Sequence, residues 1–188
     1  MIRKIALVTS VLSIAACLQA APANFKIDPV HSFVMFKISH GVGHVYGQFN
    51  DLQGSFTLDN ETPANDKISV EVKTPSLSTK NAKRDSDVMG PKLLDVQQYP
   101  LMTFVSDTIK KDDETHYDMT GKLTIHGVTK PVSMKLLKTG EKAGPNGKYV
   151  AAGETTFTVK RSDYGITAMS GMIGDDVIVT VSIEGIRE

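Results

Sequence analysis

The sequence predicts a mainly β, largely antiparallel domain of eight strands with one short helical crossover. Three observations carry that prediction. Apolar residues alternate at period two in eight segments, turn-forming residues separate most of them at hairpin distance, and one longer stretch, residues 74–100, is charged and lacks the alternation.

The first strand is marked by Val34, Phe36 and Ile38, the second by Phe49 to Leu58 with Phe56 inside it, and the third by Ile68, Val70 and Val72. Met102 and Phe104 mark the fourth, Tyr117, Met119, Leu123 and Ile125 the fifth, and Val132, Met134 and Leu136 the sixth. Val150 to Val159, including Phe157, forms the seventh, and Val177, Val179, Val181 and Ile183 the eighth. Turns fall at Asp59-Asn60 with Pro63, Lys111-Asp112-Asp113, His126-Gly127 and Gly144-Pro145-Asn146-Gly147. Within residues 74–100, Asn81 to Asp87 can start a helix with Lys83 and Arg84 on its surface. Gly90-Pro91 must stop it, leaving a short turn over Lys92 to Val96. Such a crossover would cover one end of a barrel.

Eight antiparallel strands with one apolar face can close as a barrel or pack as a sandwich; a barrel of that size holds one small ligand, as lipocalins do. An outer-membrane barrel fits poorly, because Trp is absent and Phe plus Tyr number only twelve, too few for an aromatic girdle.

Ahead of this domain, Arg3 and Lys4 precede an apolar stretch over residues 5–18, and Ala20, Ala21 and Ala23 follow. That order marks an export signal over residues 1–23, with cleavage expected after Ala20 or Ala23 and a single domain over residues 24–188. The mature chain then lacks cysteine, since Cys17 is the only one, which excludes thiol catalysis, disulfides and Cys-ligated metals. It keeps 19 basic against 21 acidic side chains, a net charge of −2 that argues against nucleic acid as a partner. Ile14-Ala15-Ala16-Cys17 also approximates a lipobox, so the alternative to a periplasmic or secreted soluble form is a lipid anchor on Cys17.

No catalytic set emerges. His40 and His44 have the spacing that binds metal on a helix, but Gly41-Val42-Gly43 between them makes a turn. His126 reads as a turn residue and His116 as part of an acidic surface loop; G-x-S-x-G and the glycine-rich phosphate loops are missing. Asp175-Asp176 lacks calcium-loop spacing and reads as solvated turn carboxylates. Met35, Met89, Met102, Met119, Met134, Met169 and Met172 suit either ordinary core filling or the adaptable lining of an apolar site.

Six ordered blocks between residues 25 and 165 resemble the YceI-like family. They are Phe25-Lys26-Ile27-Asp28-Pro29-Val30-His31-Ser32, Tyr46-Gly47-Gln48-Phe49-Asn50-Asp51, Lys83-Arg84-Asp85, Tyr99-Pro100-Leu101-Met102-Thr103-Phe104, Leu123-Thr124-Ile125-His126-Gly127-Val128-Thr129-Lys130-Pro131-Val132 and Arg161-Ser162-Asp163-Tyr164-Gly165. The chain departs from the family's pattern at Val88 to Asp95 and at His40 to His44, both expected near a barrel mouth or lid.

The resemblance implies an eight-stranded antiparallel lipocalin-like β-barrel and a non-enzymatic carrier or store for an isoprenoid lipid, a polyprenyl chain or isoprenoid quinone. It implies no cofactor beyond that lipid, transient membrane contact, and homodimerisation by analogy only. On this reading, Val34, Phe36, Ile38, Phe49, Phe56, Met102, Phe104, Met119, Leu123, Met134 and Phe157 face the ligand. Asp28, His31, Arg84, Asp85, Arg161 and Asp163 gather near strand ends, where they meet a head group or where Arg84 and Arg161 pair with carboxylates. The competing expectations are a hydrolase or isomerase using His31 or His40 with a nearby Asp, and a structural module with a filled interior.

Overall fold

A computed structural model describes residues 22–144 and 147–188; the leader with Cys17 and Ala20, and the Pro145-Asn146 turn residues, lie outside it. In chain order the described elements are β1 (Ala23–Ile27), β2 (Phe33–His40), β3 (Gly43–Phe49), β4 (Leu52–Leu58), β5 (Lys67–Lys73), β6 (Leu77–Ser78), the helix α1 (Ala82–Met89), β7 (Leu101–Lys111), β8 (His116–Ile125), β9 (Val128–Ala143), β10 (Tyr149–Lys160) and β11 (Ile173–Arg187).

These strands make eight staves. β2 and β3 pair as a hairpin from His40↔Gly43 to Val34↔Phe49, and β1 and β4 continue the same ladder to Ala23↔Leu58. The third stave is also broken: β5 pairs with β4, while β6, beyond the 3-10 turn Thr74–Ser76, pairs with β3. From β7 to β11 each strand pairs antiparallel with the next. β11 takes β2 along Ile173–Ser182 and β1 along Gly185–Arg187, and this last pairing closes the sheet. The result is the eight-stranded antiparallel barrel that the resemblance implied, built up-and-down.

Alternation drives the closure. On β11, Val177, Val179, Val181 and Ile183 point inward, whereas outward positions on the wall carry ion pairs such as Lys135 with Asp112 and Asp118, and Lys160 with Asp176. A membrane-spanning barrel has the reverse polarity. The helix forms where expected, one residue later: the Asn81 side chain caps it by accepting the N–H of Arg84 at 2.9 Å, and Gly90 ends it. Turn chemistry holds at His126-Gly127, whose φ values of 50° and 73° make the tight hairpin between β8 and β9.

Where β1 closes the barrel, Phe25 is 1 % exposed and stacks on Phe56 with ring centroids 4.9 Å apart and planes within 7°. Gly185 lies against this pair, and a Cβ there would meet both the Phe56 ring and Phe25. Gly185→Ala is therefore expected to cost about 1–3 kcal/mol of stability in urea unfolding. Unchanged stability would show that the ring stack is not confined in this way.

Candidate functional site

In an up-and-down barrel, connections after odd staves fall at one end and those after even staves at the other. One end thus gathers the β2–β3 hairpin, the α1 crossover over residues 79–100, the His126-Gly127 turn and the β10–β11 loop over residues 161–172. The other end gathers the connections over residues 59–66 and 112–115, with the end of β9 at Ala143 and the start of β10 at Tyr149.

Between them runs a cavity of about 930 Å³, near the upper end of the roughly 300–1,000 Å³ usual for small-molecule sites. The interior is not filled by its own side chains. All eleven residues expected to face a ligand line this cavity. Phe36, Ile38, Met102, Phe104 and Phe157 are only half-buried, because their exposed faces look into the lumen.

Three rings explain part of the opening. A Cβ on Gly47 would meet the Phe36 ring, one on Gly121 the Phe104 ring, and one on Gly185 the Phe56 ring. Each phenylalanine thus lies against a wall position that has no side chain. The rings line the wall instead of spanning the lumen.

Sequence reasoning missed other lining residues. Val177 to Ile183 on β11 and Ile68, Val70 and Val72 on β5 carried the same alternation and could have been chosen by it. Val88, Leu93 and Leu94 of the crossover close over the open end, but they belong to a charged segment with no periodic signal.

Polar residues expected at strand ends separate into two groups. Asp28 and His31 sit outside the cavity, at the break between β1 and β2. The Asp28 carboxylate accepts the Val30 N–H at 2.9 Å and pairs with the His31 ring at 2.8 Å, which holds its pKa below the usual carboxylate range and raises that of His31. Ser32 completes the lock, its Oγ accepting the Glu184 N–H at 3.0 Å. Arg84, Asp85 and Arg161 lie at the crossover end.

There the structure corrects the expected pairing of the arginines with carboxylates. Arg84 donates from Nε to Thr79 Oγ1 and from its terminal nitrogen to the Thr79 carbonyl, both at 2.7 Å, while the Asp85 carboxylate accepts the Thr79 N–H at 2.8 Å. Arg161, 7 % exposed, donates to the carbonyls of Gly174, Ile166, Ala168 and Ile173 at 2.7–3.2 Å. Backbone oxygens replace carboxylates because the guanidinium fork can satisfy several carbonyls of one tight loop at once. Asp175 secures the same loop, accepting the N–H and hydroxyl of Ser162 at 2.9 and 2.7 Å.

His126 links the crossover end together. Its ring packs 4.3 Å from that of Tyr99, and Nδ1 lies 3.2 Å from the Tyr164 carbonyl. His40 and His44 flank a hairpin, not a helical turn. Among the described residues, the one group able to bring three ligand atoms within 4.8 Å is Asp28, His31 and Glu184, on the outer wall. His31–Asp28 and His116–Asp113 are the described His–Asp pairs, and neither lines the cavity.

At the far end the lumen meets two ionisable groups of altered character, Asp66 and Tyr117. Burial raises the Asp66 pKa to about 6, against the opposing hydrogen bond its carboxylate accepts from the Asp59 N–H at 2.7 Å. Tyr117, also lining the cavity, is pushed upward by its own burial and by the charges of Asp66 and Glu141.

A model of the YceI-like domain matches residues 25–185. A UPF0312 protein of Pectobacterium carotovorum is 38 % identical over 183 residues, covering 96 % of this chain and 95 % of that protein. A UPF0312 protein of Yersinia enterocolitica is 40 % identical over 171 residues, covering 89 % and 88 %. Among solved structures, BcnA of Burkholderia cenocepacia matches with a TM-score of 0.77 at 21 % identity, over 84 % of this chain and 98 % of that one. A polyisoprenoid binding domain from Saccharophagus degradans matches at 0.70 and 15 % identity, over 87 % and 98 %. At these identities both show the fold. The YCEI protein of Campylobacter jejuni matches at 0.69 and 28 % identity, over 77 % and 85 %.

Two measurements check the polar anchors. Arg161→Lys keeps the charge but cannot reach four carbonyls, and is expected to cost about 2 kcal/mol or more in urea unfolding; a neutral outcome would remove the anchor role. Because the folded pKa of Asp66 lies above its unfolded value of 3.8, the folded state binds more protons between the two values, and this residue's contribution to stability declines as pH rises through about 6. Asp66→Asn should therefore gain stability relative to the parent between pH 5 and pH 8, read from paired unfolding curves. A constant difference across that range would show that Asp66 titrates normally.

Proposed function

The chain belongs to the YceI-like family, and from that premise we propose that it binds an isoprenoid lipid, a polyprenyl chain or isoprenoid quinone, inside the barrel as an extracytoplasmic carrier or store. The observation that carries this reading is the cavity of about 930 Å³, walled mostly by aliphatic, methionine and phenylalanine side chains, with charged residues such as Lys83, Asp87, Asp66 and Lys138 also on its lining. The polyisoprenoid binding domain of Saccharophagus degradans, which shares the fold, is named for such a ligand.

The energetics suit a tail of this kind. Burying one CH₂ contributes about 0.8 kcal/mol, hence about 4 kcal/mol for a five-carbon isoprene unit. Three or four enclosed units reach roughly nanomolar affinity once association costs are subtracted. Branched tails also need a lining that adapts to methyl groups, which Met102, Met119 and Met134 provide along the wall.

Binding accounts for the lumen better than acid–base catalysis does, since both described His–Asp pairs lie outside it and His40, which does line it, hydrogen-bonds no described carboxylate. Export follows from the leader. Cleavage after Ala20 leaves Ala23 in place to pair with Leu58, whereas cleavage after Ala23 removes the first rung of that ladder; the first site is therefore preferred. Intact mass of the native protein distinguishes this soluble form from one acylated at Cys17.

Lipid extraction of the purified native protein followed by mass spectrometry should return a prenyl lipid. Val179→Trp, which projects a large ring into the lumen from β11, should lower uptake of a prenyl alcohol at least about tenfold while leaving the far-ultraviolet circular dichroism spectrum unchanged. No prenyl lipid in the native protein, together with undiminished uptake by the Trp variant, would refute the assignment.

A further inference from the structure

Two neighbouring segments at the crossover end carry no charged side chain, although 22 % of the chain is Asp, Glu, Lys or Arg. They are residues 38–50, containing the β2–β3 hairpin, and residues 164–174, the β10–β11 loop. They are joined: the Gly41 N–H donates to the Met172 carbonyl at 3.0 Å, and Ile173 pairs with His40.

At their tips, apolar side chains point outward, while Ile38, Phe49, Ile166 and Ile173 face the lumen. Val42 at the hairpin tip is fully exposed, and Met172 and Met169 are 53 % and 47 % exposed. Met169 also lines the cavity and so joins the outer tips to the lumen on this side of the mouth, opposite the charged Lys83, Asp87 and Lys92 of the crossover. Backbone geometry holds these tips out. Met169 has φ 58°, in the left-handed region, and its carbonyl accepts the N–H groups of Met172 and Ile173 at 3.1 and 3.0 Å. Behind that turn, Arg161 ties down the carbonyls of Ile166, Ala168, Ile173 and Gly174. Holding a bulky residue at positive φ is costly, and it persists here around side chains that would otherwise be drawn inward.

We propose that Val42, Met169 and Met172 form a rim that seats on a lipid bilayer, so that an apolar tail passes between membrane and lumen without entering water. This rests on the reading of the cavity as an isoprenoid site. A bilayer is the occupant the chemistry favours. The tips offer no Trp or Arg of the kind that anchors protein partners, the exposed Tyr46 behind them is amphipathic and suits a lipid–water boundary, and apolar side chains on uncharged tips can enter the acyl boundary without stranding a charge there. The guest resides in the same phase.

The test uses vesicles of phosphatidylethanolamine and phosphatidylglycerol carrying a fluorescent short-chain prenyl alcohol. Flotation reports association and fluorescence reports transfer to the protein; a separate titration measures uptake of the same alcohol from dilute vesicle-free solution. Val42→Asp, alone and combined with Met172→Asp, should reduce association and initial transfer rate by about tenfold or more while uptake from solution stays unchanged. Val30→Asp is the control. It alters an exposed residue beyond β2, the opposite end of that strand from the rim, and should leave all three readings unchanged.

Wild-type association lost in both rim variants and kept in Val30→Asp supports the rim. A wild-type protein that takes up the alcohol from solution but does not associate with vesicles overturns it, as does equal loss in the control. Failure of uptake in solution would instead defeat the isoprenoid reading, and flotation would still decide whether the rim binds membrane.

Discussion

β1 is five residues long, yet it stands between β4 and β11, so the pairing of Phe25, Lys26 and Ile27 with Arg187, Ile186 and Gly185 completes the wall where β2, which closes the other half against β11, has ended. Were it lost, β4 and the end of β11 would present unpaired edges and the lumen would open at that end. The closure is reinforced from inside by the Phe25–Phe56 stack over Gly185 and from outside by the Asp28, His31 and Ser32 lock on Glu184. Short strands fray easily, and these two contacts, one apolar and one polar, tie this one on both faces.

Closure creates an interior, but an eight-stranded barrel is ordinarily narrow enough for its own side chains to fill. Large rings would be expected to fill it soonest. Here they are accommodated in the wall: Phe36, Phe56 and Phe104 each occupy the space that a side chain on Gly47, Gly185 or Gly121 would need. The rings keep their apolar surface toward the lumen while their bulk is set back. A glycine in a strand weakens the strand, so the arrangement gives up local stability for volume.

The strands were legible because alternation is a direct record of which face meets water. Each of the eight staves contains one of the alternating segments, Val34 to Ile38, Phe49 to Leu58 and their successors, although β1, β6 and nearly all of β3 lie outside them, and the eleven expected ligand-facing residues line the cavity for the same reason. The breaks within staves were not legible: Asn50-Asp51 interrupts a continuous pattern because the Asn50 and Asp51 N–H groups bond to Ser76, twenty-five residues away in the chain. Nor was the partner of Arg161. A charge among apolar residues signals a need for compensation, but only the fold brings four carbonyls around it.

Polar chemistry in this barrel is concentrated where the backbone leaves the regular ladder. Arg161 and Asp175 fix the β10–β11 loop, Arg84 and Asp85 fix the start of the crossover through Thr79, and His126 bridges Tyr99 to the Tyr164 carbonyl. All three knots lie at the same end as the segments Val88 to Asp95 and His40 to His44. Rigid anchors thus frame the end at which the crossover covers the lumen. On the proposed reading of the cavity, selection among apolar tails, which differ in length and branching but little in polarity, is then a matter of how this end admits and covers them, and the lumen supplies affinity common to all.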